Sequence, residues 1–281
     1  MPARGTVEVG TANLRVKALA SGSSANALLI ECAAGSLLVD AGLSARTLQE
    51  LLLRHAVYQA PLCGILLTHE HGDHCVGADV LARKTGAPLV GTRGTLNALR
   101  LHTRTPTNPV AAGSTVTIGP FEVHAFPVPH DAADPVGYRI ELGTWRVGIA
   151  TDLGHCSRHV REALRETHLT VIEANHDRGR LAANSGYSEL LKRRISGDRG
   201  HLANEQTASL LQEFAECAHD RWVWLAHLSE ENNRPSIALA AMRRHFQLLR
   251  QPLPFDLQVA ERDRPSVEWD TRALFRQRAL F

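Results

Sequence analysis

The 281-residue sequence predicts an α/β (α+β) protein made of two mixed β-sheets with helices outside both. Short apolar runs rich in Val, Leu and Ile recur along the whole chain. Stretches with helical spacing separate many of them, and the pattern of several strands followed by helices runs through twice. In layered α/β proteins, ligand-binding groups gather at strand ends and in the loops after them.

The first forty residues read as strands over 14–19, 26–31 and 36–40, with turns at Gly22 and Gly35. Ser44 is the expected N-cap of a helix from Ala45 to about His55. A strand ending at Thr68 leads into a His-rich loop and a helix over 75–84, and Leu89-Val90 starts another strand. Residues 106–119, dense in Pro, Gly and Thr, read as loop and hairpin. Strands follow at 116–118, 121–126, 137–142 and 145–150. Beyond Asp152 the expected order is strand 169–172, helices 188–195 and 206–218, strand 222–227, helix 235–249 and a last strand 255–260. No repeat or low-complexity linker divides the chain, so residues 1–281 read as one domain, with 234–281 completing its second half.

A net charge of +2 and a pI near 8.4 do not by themselves argue for nucleic acid or a membrane. Five cysteines form no C-x-x-C pair, which suits free thiols in a reducing cytoplasm. Cys75 and Cys156 lie near suspected ligands but read as structural thiols. The first residues lack a long apolar stretch, and no run approaches the ~20 apolar residues of a membrane span. The expectation is a soluble cytoplasmic protein without a membrane partner.

The chemistry is concentrated in His69-Glu70-His71-Gly72-Asp73-His74, four metal-binding side chains within six residues where a strand gives way to a loop. His69 and His71 face the same way if the backbone stays extended, and Gly72 reads as the turn that re-aims Asp73 and His74. One strand end cannot complete two coordination spheres alone. His130, Asp152, Glu173 and His227 each follow an apolar strand and are the partners expected to converge. Asp40 also ends a strand, where a turn role competes with orienting a ligand ring. Further on, Lys192, Arg193, Arg194 and Arg199 precede Gly200-His201 at a helix start, a setting that suits a phosphate.

The segments T-H-E-H-G-D-H, P-H-D-A-A-D-P-V-G-Y, T-D-L-G and H-L-S-E-E-N-N together resemble the metallo-β-lactamase superfamily, most nearly its YycJ (WalJ) family and more distantly tRNase Z and RNase J. The resemblance runs from Ser21 to Asn233. It implies a four-layer αββα sandwich with two divalent ions, Zn²⁺, Mn²⁺ or Fe²⁺, along one edge. It would give one ion His69, His71 and His130, the other Asp73, His74 and His227, and make Asp152 the bridge. It also implies that Asp73 serves catalysis as well as binding. Asp40 would orient a ligand ring, and His176 would support the site beside Glu173. Glu173 and His201 resemble the Glu and His that protonate the leaving oxygen in tRNase Z, and Asn204 becomes a substrate contact. Ala203 departs from the G-H-L-S-N expected there, which bears on substrate contacts rather than chemistry. The implied activity is 5′ to 3′ DNA exonuclease, with RNA the other nucleic-acid substrate. The competing readings are a small-molecule hydrolase (thioesterase, lactonase or cyclic phosphodiesterase) and a non-catalytic metal-binding regulator. The spacing from Asp152 to His227 leaves no room for an inserted domain of the RNase J kind.

Overall fold

The computed structural model describes residues 13–215 and 221–278. The first sheet is built from β1 (Arg15–Gly22), β2 (Ala25–Cys32), β3 (Gly35–Val39), β4 (Leu62–Leu66), β5 (Leu89–Thr92) and β6 (Thr107–Val110). The second comprises β7 (Thr115–Ile118), β8 (Phe121–Pro127), β9 (Val136–Leu142), β10 (Trp145–Ala150), β11 (Leu169–Glu173), β12 (Arg221–Ala226) and β13 (Phe255–Val259). A last strand, β14 (Glu268–Asp270), crosses back and pairs antiparallel with β1, so the C-terminal stretch does not all complete the second half. Thr271 Oγ1 accepts from Leu14 N at 2.9 Å, and Arg15 donates to Glu268, tying β1 to β14 and the residue after it.

Both sheets are mixed. β3 to β6 pair in parallel in one, β10 to β13 in the other, and the remaining pairs are antiparallel. Strand alternation decides which side chains meet between the sheets. Leu28, Ile30, Leu37 and Val39 face Phe121, Tyr138, Val171 and Trp224 across a shared core. Leu29, Leu38 and Ile65 point the other way, under α1 (Ala45–His55), α2 (Gly72–Cys75), α3 (Ala78–Thr85) and α4 (Arg93–Ala98). Ile172, Val223 and Leu225 lie under the second outer layer. Its helices are α5 (Arg158–Leu164), α8 (Asn204–Glu213) and α9 (Pro235–Leu248); α6 (Arg178–Ala183) and α7 (Glu189–Ser196) lie between β11 and α8 in the chain, and α10 (Thr271–Arg278) follows β14. This is the four-layer αββα sandwich.

The expected helix over 75–84 is two helices, because Gly77 N leaves the helical ladder to donate to Ala41 O at 2.9 Å. The expected helix over 206–218 instead runs from Asn204 to Glu213 with its C-cap at Phe214; residues 216–218 of the expected span lie outside the described residues. β6 hides inside the Pro-rich stretch as a short edge strand with its first three residues exposed. No helix among the described residues is long and apolar enough to cross a membrane.

Candidate active site

β3 and β4 run in parallel, so their C-terminal ends deliver Asp40 and Thr68 to one point. The Asp40 carboxylate accepts from Thr68 N at 2.9 Å, from Thr68 Oγ1 at 3.0 Å and from His74 Nδ1 at 2.7 Å. Tyr138 Oη of the second sheet donates to Leu67 O at 2.7 Å, pinning the end of β4 from the core side. Past His71, α2 turns the chain so that Asp73 and His74 re-enter the site. Gly72 is not what permits this turn: it is the first helical residue, its φ is not left-handed, and a Cβ there would meet nothing within 4 Å. The close approach is at Gly42, where a Cβ would sit 1.8 Å from Asp73 O.

The second sheet supplies the rest. His130 follows β8, Asp152 follows β10, Glu173 ends β11 and His227 follows β12. Asp40, Asp152 and His227 all take left-handed backbone conformations (φ 61°, 58° and 54°), which turn side chains at strand ends into the site. Four of the imidazoles are held from behind through Nδ1. His69 meets Thr68 Oγ1 at 3.1 Å, His74 meets Asp40, His130 meets Gly200 O at 3.2 Å and His227 meets Glu173 Oε1 at 2.9 Å. Such partners fix the ring orientation and point Nε2 inward, where it would offer its lone pair to a cation. His71 is the exception, because its Nδ1 faces inward, 3.3 Å from His130 Nε2.

Among the described residues the ligand atoms form four groups: His69, His71 and His130; Asp73, His74 and His227; His69, His74 and Asp152, which overlaps both; and Asp152, Glu173, His201 and His227. His74 Nε2 lies 3.3 Å from Asp73 Oδ2 and 3.1 Å from Asp152 Oδ2, and His227 Nε2 lies 3.3 Å from Asp73 Oδ2. Asp152 sits between the first two groups, with Oδ1 3.7 Å from His130 Nε2. These residues fit divalent ions. Tetrahedral Zn–N bonds of about 2.0–2.1 Å put ligand atoms roughly 3.3 Å apart. His69 Nε2, although buried, has no hydrogen-bond partner, and neither does Asp152 Oδ2 despite its nearness to His74, where the geometry is not that of a hydrogen bond. Cys75 and Cys156 stand in no such group among the described residues, and Cys75 Sγ donates to Glu70 O.

Charge balance points the same way. Burial raises the Asp73 carboxyl, but hydrogen bonds from His227 and His74 outweigh it and hold the group far below the usual range. Burial disfavours charge on His227, yet Asp152, Asp73 and Glu173 pull its pKa up to about 10. His74 is likewise raised against burial, by Asp40 and Asp152. His69 has no such carboxylate excess; burial and the neighbouring His74 depress it strongly. The site therefore demands positive charge, which protons supply unless cations do.

Glu173 is fully buried. Its Oε1 accepts from both His201 Nδ1 and His227 Nδ1 at 2.9 Å, and its Oε2 accepts from Leu153 N at 2.9 Å and Leu202 N at 3.0 Å. With both oxygens engaged it is a positioning group, not one that touches substrate. His201 is partly exposed and lines a cavity of about 220 Å³ with His71, Asp73, His130, Asp152 and His227.

The structure separates the predicted phosphate contacts. Of Lys192, Arg193, Arg194 and Arg199, only Arg194 lines this cavity. Lys192 Nζ folds back to Ala182 O at 2.9 Å and Glu189 at 3.0 Å, while Arg193 and Arg199 are exposed and do not line the cavity. Asn204 is buried and exchanges hydrogen bonds with Asn233, so it cannot reach a substrate. The start of α8 is closed too: Ala203 N donates to Gln206 Oε1 and Asn204 N to His176 O. Ala203 is wholly buried, so the missing Ser bears on this helix cap rather than on substrate contacts. The buried His176 ring has an unpartnered Nδ1, and burial lowers its pKa to about 4; its link to the site is through the backbone.

Sequence reasoning missed three supports. Asn26 Nδ2 lies 3.1 Å from His74 Nε2 and 3.4 Å from Asp73 Oδ2. Ser21 Oγ accepts from His227 N at 3.0 Å, and Thr68 links Asp40 to His69. The Ser21–Asn26 turn and the Thr before the His motif were the available signals.

Residues 36–227 match the β-lactamase superfamily domain. The chain is 36% identical over 229 residues to exodeoxyribonuclease YycJ of Bacillus anthracis, covering 80% of this chain and 86% of that protein. It is 35% identical over 248 residues to exodeoxyribonuclease WalJ of Streptococcus pneumoniae strain D39, covering 86% and 89%. Among solved structures, the metallo-β-lactamase fold protein YhfI of Bacillus subtilis superposes with a TM-score of 0.67 at 18% identity, covering 92% of this chain and 100% of that one. The chain therefore belongs to the metallo-β-lactamase superfamily and, within it, to the family of YycJ and WalJ.

Proposed function

We propose that this protein is a cytoplasmic, dinuclear metal-dependent exonuclease whose substrate is DNA, working from the 5′ end. The observation that carries the reading is the His201–Glu173 pair at the edge of a cavity whose floor is the metal-ligand set. The activity named for relatives that match this chain over most of its length supports it. His69, His71 and His130 would hold one ion and Asp73, His74 and His227 the other, with Asp152 shared. Zn²⁺ or Mn²⁺ suits these nitrogen and carboxylate donors, and Fe²⁺ is the third choice. Bound there, the pair of ions supplies Lewis acidity and a nucleophile at neutral pH.

The chain's own groups do the remaining work. An alkoxide is a poor leaving group, so a positioned acid speeds phosphodiester cleavage. Burial opposes charge on His201, but Glu173 and Asp152 raise its pKa, which favours the protonated ring that a departing oxygen needs. Glu173 holds His201 and His227 with one oxygen, which places the acid and a ligand in fixed register. A cavity of about 220 Å³ suits the end of a strand better than the middle of a long folded RNA.

The test uses 5′- and 3′-labelled single- and double-stranded DNA and RNA with metal-reconstituted protein and with Asp152→Ala. The expected result is metal-dependent shortening of DNA from the 5′ end and none with Asp152→Ala. Absence of cleavage of every polymer would overturn the nuclease reading, and RNA cut faster than DNA would reverse the substrate assignment.

A further inference from the structure

We infer that α7 is the wall that holds one nucleic-acid strand over the metal ligands, Arg194 taking a backbone phosphate while Leu191 and Ile195 lie under the adjoining sugar and base. This deepens the nuclease reading and rests on it. α7 has no buried residue, and Leu190 is 79% exposed, so the helix is not there to cover core. Leu191, Arg194 and Ile195 stand at i, i+3 and i+4, share one face and line the cavity. That face joins two apolar side chains to Arg194, the one Lys or Arg of the lining among the described residues, matching the alternation of phosphate and sugar along a nucleic-acid strand. At about 220 Å³ the cavity is smaller than the ~300–1,000 Å³ of pockets that enclose drug-sized molecules, which suits a short length of one strand laid against α7.

Backbone contacts register α7 to the chemistry. His201 N donates to Ile195 O at 2.8 Å, and Gly200 O accepts from the ring of His130. A Cβ on Gly200 would lie 2.2 Å from both Arg194 O and Ile195 O. The helix end, a metal-ligand ring and the acid are thus packed backbone against backbone. Arg194 rests on Asp131, with Nε 2.7 Å and Nη2 2.6 Å from Oδ2. A phosphodiester presents the same kind of acceptor to the same guanidinium edge. The Arg194 side chain is 65% exposed, so trading Asp131 for a phosphate gives up an ion pair of little net worth.

The test is steady-state cleavage of a labelled single-stranded oligonucleotide at several salt concentrations by metal-loaded protein. Arg194→Ala should raise KM about tenfold, more than it lowers kcat, and should flatten the slope of log(kcat/KM) against log[salt] by about 0.7, one single-strand phosphate contact. Arg194→Lys should restore the slope but only part of KM, because the planar fork is lost. Leu191→Asp should raise KM as well. An unchanged salt slope and KM in Arg194→Ala would overturn this inference alone. A wild-type protein that cuts no polymer would overturn the nuclease reading and this one with it.

Discussion

Replacing Glu173 with Gln tests the idea that one buried carboxylate sets both a metal ligand and the acid. The side chain receives four donors, two imidazole Nδ1 atoms and two backbone N–H groups. Gln keeps the shape but turns one oxygen into an NH₂ group. If the NH₂ faces Leu153 N and Leu202 N, two buried backbone donors are orphaned. If it faces the rings, His201 and His227 must switch tautomer, and His227 then carries its proton on Nε2, the atom that faces Asp73. Either way a fully buried charge network loses a partner, which typically costs about 3–5 kcal/mol. Loss of the carboxylate behind a ligand imidazole should weaken metal binding roughly 10–100-fold. Urea denaturation of the metal-free protein reads the first quantity, and competition against a chromophoric chelator reads the second. A Glu173→Gln protein with wild-type stability and metal affinity within about twofold of wild type would refute the positioning argument, since the expected loss is at least tenfold.

Asp40→Asn should leave the fold intact, because Asn tolerates the left-handed conformation at this position, yet weaken metal binding about 10–100-fold through His74, as chelator competition would show. Gly42→Ala drives a Cβ against the backbone of Asp73 and Asn26, so it should destabilise by about 1–3 kcal/mol or more and lower metal content at the Asp73 group, checked by thermal melting and elemental analysis. Metal binding at pH 7 should release protons, because His74 and His227 (about 10) carry them in the metal-free site; binding enthalpy must then vary with the buffer's ionisation enthalpy, and affinity must fall as pH falls. Burial pushes the Cys156 thiol up to about 12, so it should resist alkylation at pH 8 in the native protein and react once the protein is unfolded, as mass spectrometry would show.

Strands and helices were legible where local signals agreed. α1 runs from Ala45 to His55 as expected because Ser44 Oγ caps Thr47 N, and β10 has the expected bounds because its apolar run ends at a polar pair. The H-x-H-x-D-H cluster stood out because four donors in six residues have no ordinary role. Its distant partners were legible for one physical reason: each follows an apolar strand, and parallel strands bring their C-terminal ends together. What lay hidden had no spacing to betray it. The single hydroxyl of Thr68 and the amide of Asn26 act through contacts made only after the sheets have formed. β14 pairs with β1 across nearly the whole chain, a contact that no local pattern encodes. Among the cations of 192–199, helical rotation selects Arg194 for the cavity and turns Lys192 back on its own helix, a distinction invisible in a linear run of charge.

The three strand-end residues with left-handed backbones bear on why this site is tied to the fold rather than laid on it. Asp40, Asp152 and His227 each adopt a conformation that costs of order 1–3 kcal/mol for a non-glycine residue. Each is also nearly inaccessible to water, at 3%, 2% and 1% exposure, so the strain is held by surrounding structure that cannot relax without opening the core. Asp40, Asp152 and Glu173 bring negative charge into that dry space, and protonated imidazoles balance it in the metal-free protein. Divalent ions would replace those protons and draw on the same lone pairs, so binding them stabilises the arrangement that the backbone already holds under strain. The ends of both sheets are thus committed to a single charge problem. Removing Glu173 disturbs ligand orientation and acid placement together, whereas removing Asp40 frees the ring of His74.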